Sequence, residues 1–304
     1  MVLRHFFLFL SDRRALRRWM EHSPRAVALT SRFVAGREIE DALRVTRQLN
    51  ETGLATTLDY LGESVTTIQE AAAARDVYLR LVEEIHARGL NANVSLKLTQ
   101  LGLDVSEAAC RENVAAIARR VGELGSFVRV DMESSAHTAR TLALVSDLHE
   151  TYPHIGAVLQ TYLYRAAGDT EDLIQRRVRV RLCKGAYDER ADVAFQKKSD
   201  VNSNYARLAQ RLLLAGDYPA LATHDERLLR EALRFADANG IAKDRFEIEM
   251  LHGIRRDLQA RYASQGYRVR VYVPFGGAWY PYFMRRLAER PANAWFVARH
   301  LLRS

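Results

Sequence analysis

Arg179-Val180-Arg181-Leu182-Cys183-Lys184-Gly185-Ala186-Tyr187 is the stretch from which the fold can be read. It opens as a buried strand: Val180, Leu182 and the short apolar Cys183 suit a pleated run. Then the strand signal stops. Lys184 follows the apolar residues directly, and Gly185-Ala186 leave room for a backbone or a ligand to come close. A charge and small residues at the C-terminal end of a strand are what an α/β barrel uses for chemistry. Taken alone, the stretch is equally an ordinary strand ending in a glycine turn.

Outward from it, the same design repeats. Short apolar runs rich in β-branched residues fall at 55–60, 93–98, 127–132, 156–162, 179–183, 221–223, 246–251 and 269–273. Amphipathic helical stretches separate them, for example at 64–88, 106–124, 135–152, 202–215, 226–239 and 255–265. Several begin with Ser, Asn or Asp, as an N-cap should. Gly53, Gly89, Gly125, Gly240 and Gly266 stand just before the next strand, where a helix-ending glycine belongs. Eight strands alternating with helices predict an α/β fold, a (βα)8 TIM-type barrel. The competing doubly wound open sheet normally carries a Gly-rich phosphate loop after its first strand. Here that strand leads into Leu61-Gly62-Glu63-Ser64. Ahead of the barrel, residues 1–50 read as a helical arm packed on it, with helices at 13–22 and from Ile39 to Leu49. Residues 51–304 then form the catalytic barrel, final helix included, in a single domain overall.

Composition narrows the function class. With 304 residues, 48% hydrophobic and 27% charged, the chain can bury a large core and is not of the disordered type. Cys110 and Cys183 fall in a helical pattern and a strand, so a reducing compartment and no disulfide framework are expected. No CxxC or HExxH spacing marks a metal site. The net charge of +8 comes mostly from Arg scattered among acids, which speaks against a nucleic-acid partner. The apolar run at residues 2–10 is too short to span a bilayer and lacks a small-residue cleavage site, so a docking helix is expected there.

The strand ends carry polar and charged residues where a barrel keeps its site. Alternation along Val94-Ser95-Leu96-Lys97-Leu98 sends Ser95 and Lys97 to one face. If that face is the barrel interior, Lys97 points into the mouth and needs a carboxylate or an anionic ligand as partner. Asp131, in Val128-Arg129-Val130-Asp131, meets that need by the same alternation. The last helix, from Trp279 to Pro291, puts Tyr282 with Arg285 and Arg286 with Glu289 at i, i+3 spacing. Arg285 and Arg286 can both edge toward one carboxylate, which a pair of guanidinium forks binds well.

In these segments the sequence resembles the proline dehydrogenases, in particular the short monofunctional bacterial form. The resemblance lies in Leu61-Gly62-Glu63, Ser95-Leu96-Lys97-Leu98, Arg129-Val130-Asp131-Met132-Glu133, Leu159-Gln160 with Tyr162, and Arg181-Leu182-Cys183-Lys184-Gly185-Ala186-Tyr187. It continues in Ala222-Thr223-His224, Phe246-Glu247 with Leu251 and Gly253, Arg270-Val271-Tyr272-Val273-Pro274, and the run from Tyr282 to Glu289. Nine pieces in order, one per strand end plus the last helix, make the likeness specific. Two positions depart from it: Cys183 stands where the family more often has Val, and Asp188 where some members have an aromatic.

The resemblance implies FAD-dependent oxidation of L-proline to Δ1-pyrroline-5-carboxylate by hydride transfer from C5 to flavin N5. It implies electrons passed to a quinone, in the first step of proline catabolism to glutamate. The implied catalytic residues are Asp131 and Arg181. Lys97, Arg285 and Arg286 would clamp the proline carboxylate, while Ala186, Tyr187, Leu251, Tyr272 and Tyr282 would surround the ring. Glu63 and Glu289 are the acids that balance the clamp, Glu63 as a gate. Met132, Gln160, Arg181, Lys184, Gly185, Ala186, Thr223 and His224 would hold the cofactor. The protein is expected in the cytoplasm. The quinone brings the expectation of peripheral contact with the inner face of the membrane, for which Phe6, Phe7, Leu8 and Phe9 beside Arg13, Arg14, Arg17 and Arg18 are suited. An oligomer is left open. Two rival readings stay beside this one: a Schiff-base barrel aldolase using Lys97 or Lys184, and a non-catalytic basic scaffold.

Overall fold

The computed structural model describes residues 32–280 and 282–284. Helix and strand alternate throughout: α1 (Ile39–Glu51), β1 (Ala55–Tyr60), α2 (Ile68–Ala87), β2 (Ala92–Leu96), α3 (Glu107–Glu123), β3 (Val128–Val130), α4 (Ser135–Thr151) and β4 (Ile155–Gln160). They continue as α5 (Ala166–Gln175), β5 (Val180–Cys183), α6 (Lys198–Ala215), β6 (Ala220–Ala222), α7 (Glu226–Ala238), β7 (Glu247–Leu251), α8 (Arg256–Ser264) and β8 (Val269–Phe275). The eight strands pair in chain order, all parallel, and β8 closes on β1 with Ala55 opposite Arg270. The predicted barrel is what forms.

The five glycines before strands carry the turns. Their φ angles lie between 60° and 83°, a left-handed conformation that a side chain makes costly. Two helix starts differ from the sequence pattern. Helix α2 begins at Ile68, because Thr67 accepts the Glu70 N–H at 3.1 Å and Glu70 accepts the Thr67 N–H at 3.2 Å, a capping box. Residues 64 and 65 cross instead to Thr99, whose hydroxyl and carbonyl accept their N–H groups, each at 3.2 Å. Helix α6 starts four residues before Asn202, at Lys198. Helix α5 lacks a clear apolar stripe: its buried residues are Ala166, Asp169, Thr170 and Leu173, and Asp169 is satisfied by Arg165 at 2.8 Å.

The core lies between the strands and the helix ring. Val94, Leu96, Val128, Val130, Leu182 and Val271 are fully buried with Leu81, Val114 and Ile117 of the helices. Helix α1 packs on β1 and β8 and fills the ring at their seam; the Ala35 N–H donates to the Pro274 carbonyl at 2.9 Å. Among the described residues, no helix after β8 joins the ring. Residues 279–280 and 282–284 are helical instead at the C-terminal end of the barrel, where Trp279, Tyr282 and Phe283 pack with Phe33, Val34, Leu61 and Ile254. That agrees with a last helix placed over the mouth. Arg285, Arg286 and Glu289, expected from sequence to follow in that helix, lie outside the described residues, as do residues 1–31 with their basic-aromatic run.

Candidate active site

The inner face of the barrel is charged. Side chains from strands that are not neighbours in the sheet touch one another, which only the interior allows. Arg181 of β5 donates to Ser95 of β2 at 3.1 Å and to Asp131, just beyond β3, at 2.7 Å. It also pairs with Glu249 of β7 and lies 5.2 Å from the Tyr272 ring centroid of β8. Ser95 and Lys97 do share the interior face, as the alternation predicts.

At the mouth these groups form two linked ion pairs. Asp131 accepts from Arg181 and Ser95 through one oxygen, each at 2.7 Å, and from the Tyr272 hydroxyl through the other at 2.6 Å. Lys97, with 9% of its side chain exposed, lies 3.6 Å from Asp131. Its nearer partner is Asp59 of β1: Lys97 Nζ donates to both Asp59 oxygens, at 3.0 and 2.9 Å. Burial opposes every one of these charges. Against it, Asp59 and Asp131 hold the Lys97 ammonium well above its usual range. Burial likewise opposes the Asp131 carboxylate, yet Arg181 and Lys97 outweigh it and keep its pKa below the ordinary value. Burial, then the negative charge of Asp131, raises the Tyr272 phenol well above its usual range.

Above the pairs opens a cavity of about 740 Å³. Lys97, Asp131, Met132, Gln160, Arg181, Lys184, Gly185, Ala186, Tyr187, Thr223, His224, Leu251, Tyr272 and Tyr282 all line it. The structure thus brings together the described site residues expected from sequence, with one exception. Glu63 is exposed on the loop after β1 and does not border the cavity.

Local structure fixes the wall. Gly185 has φ of 106°, and a Cβ there would lie 2.3 Å from the Tyr162 ring, so only glycine fits. Lys184 pairs at 2.9 Å with Asp225, which also caps α7 by accepting the Arg227 N–H at 3.2 Å. His224 Nε2 accepts the Leu251 N–H at 2.9 Å, which puts the ring proton on Nδ1. Gln259 donates to the Leu251 carbonyl at 3.1 Å, so that wall position is held from both sides. Gln160 donates to the Met132 carbonyl at 3.3 Å, while its Oε1, buried, has no hydrogen-bond partner among the described residues. Cys183 borders the cavity, its thiol pushed up to about 12 by burial.

Asp59 and Glu249 line the cavity too and were not singled out from sequence. A signal for them existed. Thr57-x-Asp59 and Glu247-x-Glu249 alternate with apolar residues in the same manner as Ser95-x-Lys97.

Comparison with known proteins agrees with this geometry. The family model Proline dehydrogenase matches residues 42–299. Proline dehydrogenase from Deinococcus radiodurans is 43% identical over 280 residues, covering 90% of each chain. Proline dehydrogenase 2 of Bacillus subtilis is 39% identical over 297 residues, covering 98% of each. Among solved structures, proline utilization A from Bdellovibrio bacteriovorus, inactivated by N-propargylglycine, superposes with a TM-score of 0.81 at 25% identity. That match covers 87% of this chain and 33% of that one, so the chain spans about a third of that protein's length.

Proposed function

Because the chain belongs to the proline dehydrogenase family, its activity is a proline dehydrogenation, and we propose that it converts L-proline to Δ1-pyrroline-5-carboxylate with FAD as cofactor and a quinone as final acceptor. This would be the first step in breaking proline down to glutamate. The observation that carries the reading is the pairing of Lys97 with Asp59 beside the pairing of Arg181 with Asp131, on one cavity wall.

The residues present fit a large cofactor. A cavity of about 740 Å³ is far more than a small ring amino acid fills, and its walls run from buried Asp59 and Lys97 to exposed Arg227. Gln160 Oε1 is an acceptor on that wall that still needs a donor. Met132, Gln160, Arg181, Lys184, Gly185, Ala186, Thr223 and His224 would hold the FAD. When bound, the flavin supplies the hydride acceptor for proline C5.

The chain's own groups do the rest. Lys97, charged and fixed, takes the substrate carboxylate, with Arg285 and Arg286 of the last helix as further cations and Glu63 and Glu289 as the balancing acids. Arg181 is a cation that cannot turn away, because Asp131 and Glu249 grip it from two strands; a fixed cation there steadies negative charge developing on the cofactor. Ala186, Tyr187, Leu251, Tyr272 and Tyr282 enclose the ring and shut out water. The aldolase reading loses its nucleophile: Lys97 between two carboxylates stays an ammonium, and Lys184 is paired with Asp225.

A quinone acceptor implies visits to a membrane surface from the cytoplasm. No helix among the described residues is long and apolar enough to cross one; the proposed contact is peripheral. One purified sample tests the proposal. Its visible spectrum should show an oxidised flavin that bleaches on anaerobic addition of L-proline. A colourless protein that takes up no FAD, or a flavin that proline leaves oxidised, would overturn it.

A further inference from the structure

Asp59 is 0% exposed, and it is the nearest partner of the Lys97 ammonium at the cavity's inner end. Its place is rigid. In β1 it sits opposite Ser95 of β2 on one side and Pro274 of β8 on the other. Both its oxygens accept from Lys97, a contact that aims the ammonium and does not merely neutralise it.

Asp131 is the competitor. Its two oxygens already take Ser95, Arg181 and Tyr272, but a carboxylate offers about four acceptor positions. Lys97 Nζ is 3.6 Å away, so it needs to move only slightly to fill the remaining one. We infer that Asp59 is the positioning residue for Lys97: it holds the ammonium toward the substrate carboxylate and keeps it from being captured by Asp131. Two cations then serve two ends of one reaction. Lys97 stays with the substrate's acid group, and Arg181 stays with Asp131 beside the cofactor. Without Asp59 both lean on Asp131, and the carboxylate site loses an aimed donor.

This inference rests on the proposed proline chemistry, and the test separates the two. Steady-state kinetics with L-proline are measured on FAD-loaded wild type, Asp59→Asn, Lys97→Met and the double variant. Asp59→Asn should raise KM about ten-fold or more with kcat changed by less than about three-fold, since substrate placement is lost before chemistry is. In the Lys97→Met background the same change should add less than about two-fold, because the residue acts through Lys97. An unaltered KM in Asp59→Asn, or an equal rise in both backgrounds, overturns the inference. If Asp59→Asn fails to fold because an ammonium is left poorly paired, the double variant lacks that charge, and its comparison with Lys97→Met decides.

A second measurement needs no turnover. Acetic anhydride labelling at pH 8, mapped by mass spectrometry, should find Lys97 several-fold more reactive in Asp59→Asn than in wild type, as the hold on its proton weakens. Equal labelling overturns the inference. Absence of proline turnover with Lys97 still shielded by Asp59 would sink the proline chemistry and leave the positioning intact.

Discussion

Two sets of buried charges occupy the same barrel. At the floor, Glu247 pairs with Arg270 at 2.9 Å and with Arg129 at 3.6 Å; Arg270 also donates to the Thr56 carbonyl at 2.7 Å. At the mouth stand Asp59, Lys97, Asp131 and Arg181. Residue types and burial are alike: Arg129 is 1% exposed, Arg181 5%. What differs is access. None of the three floor residues borders the cavity, and all four at the mouth do. The floor set has no opening of its own, and the charge of Glu249 is its link to the mouth. Burial pulls the Arg129 guanidinium down to about 10, and two of its nitrogens have no hydrogen-bond partner among the described residues. The mouth set can answer to a ligand. Burial of a charge is therefore no mark of function; an opening onto it is.

The comparison breaks most visibly at the floor. Glu247→Gln takes from Arg270 its nearest anion and leaves Arg129 with Glu249 alone, and taking a partner from a buried charge costs about 3 kcal/mol. Thermal unfolding should show that loss while the KM for proline in the surviving folded enzyme stays put. A raised KM with little loss of stability would erase the distinction between floor and mouth.

His252 supplies a case between the two, a titratable ring at the end of β7 that burial, helped by the charge of Arg256, holds down to about 4. Its ordinary value is 6.5. The folded state therefore binds fewer protons than the unfolded chain between those values, and stability is lost as pH falls from about 6.5 toward about 4. His252→Gln should remove on the order of 3 kcal/mol of that acid sensitivity. Denaturant unfolding of both proteins at pH 7 and pH 4.5 checks it. Parallel losses would show that the ring titrates normally in the fold.

The smallest effect belongs to the mouth's apolar rim. Tyr282 lines the cavity and packs with Trp279 and Phe33. Tyr282→Ser should relax discrimination between proline and hydroxyproline by about ten-fold in kcat/KM. Unaltered selectivity would move Tyr282 off the substrate ring.

Much of this was written in alternation and punctuation. Ser95-x-Lys97 reads as an inward pair because a strand's period is two, and Gly53 through Gly266 mark each helix end because only glycine turns there cheaply. Helix α5 hid from the same reading, since Asp169 and Thr170 occupy its buried face and make no apolar stripe. Arg285, Arg286 and Glu289 remain expectations of the sequence and its family, outside the described residues.

The chain by itself determined that eight strands would close and that polar groups would point inward, because both follow from local periodicity. Which inward groups meet was decided only by closure. Lys97 had Asp131 as its expected partner, and the barrel gave it Asp59 at 2.9 Å with Asp131 at 3.6 Å. Period two assigns a residue to a face, but the distance across a barrel depends on the stagger of all eight strands at once. That quantity is a property of the whole sheet, and no single stretch of sequence carries it.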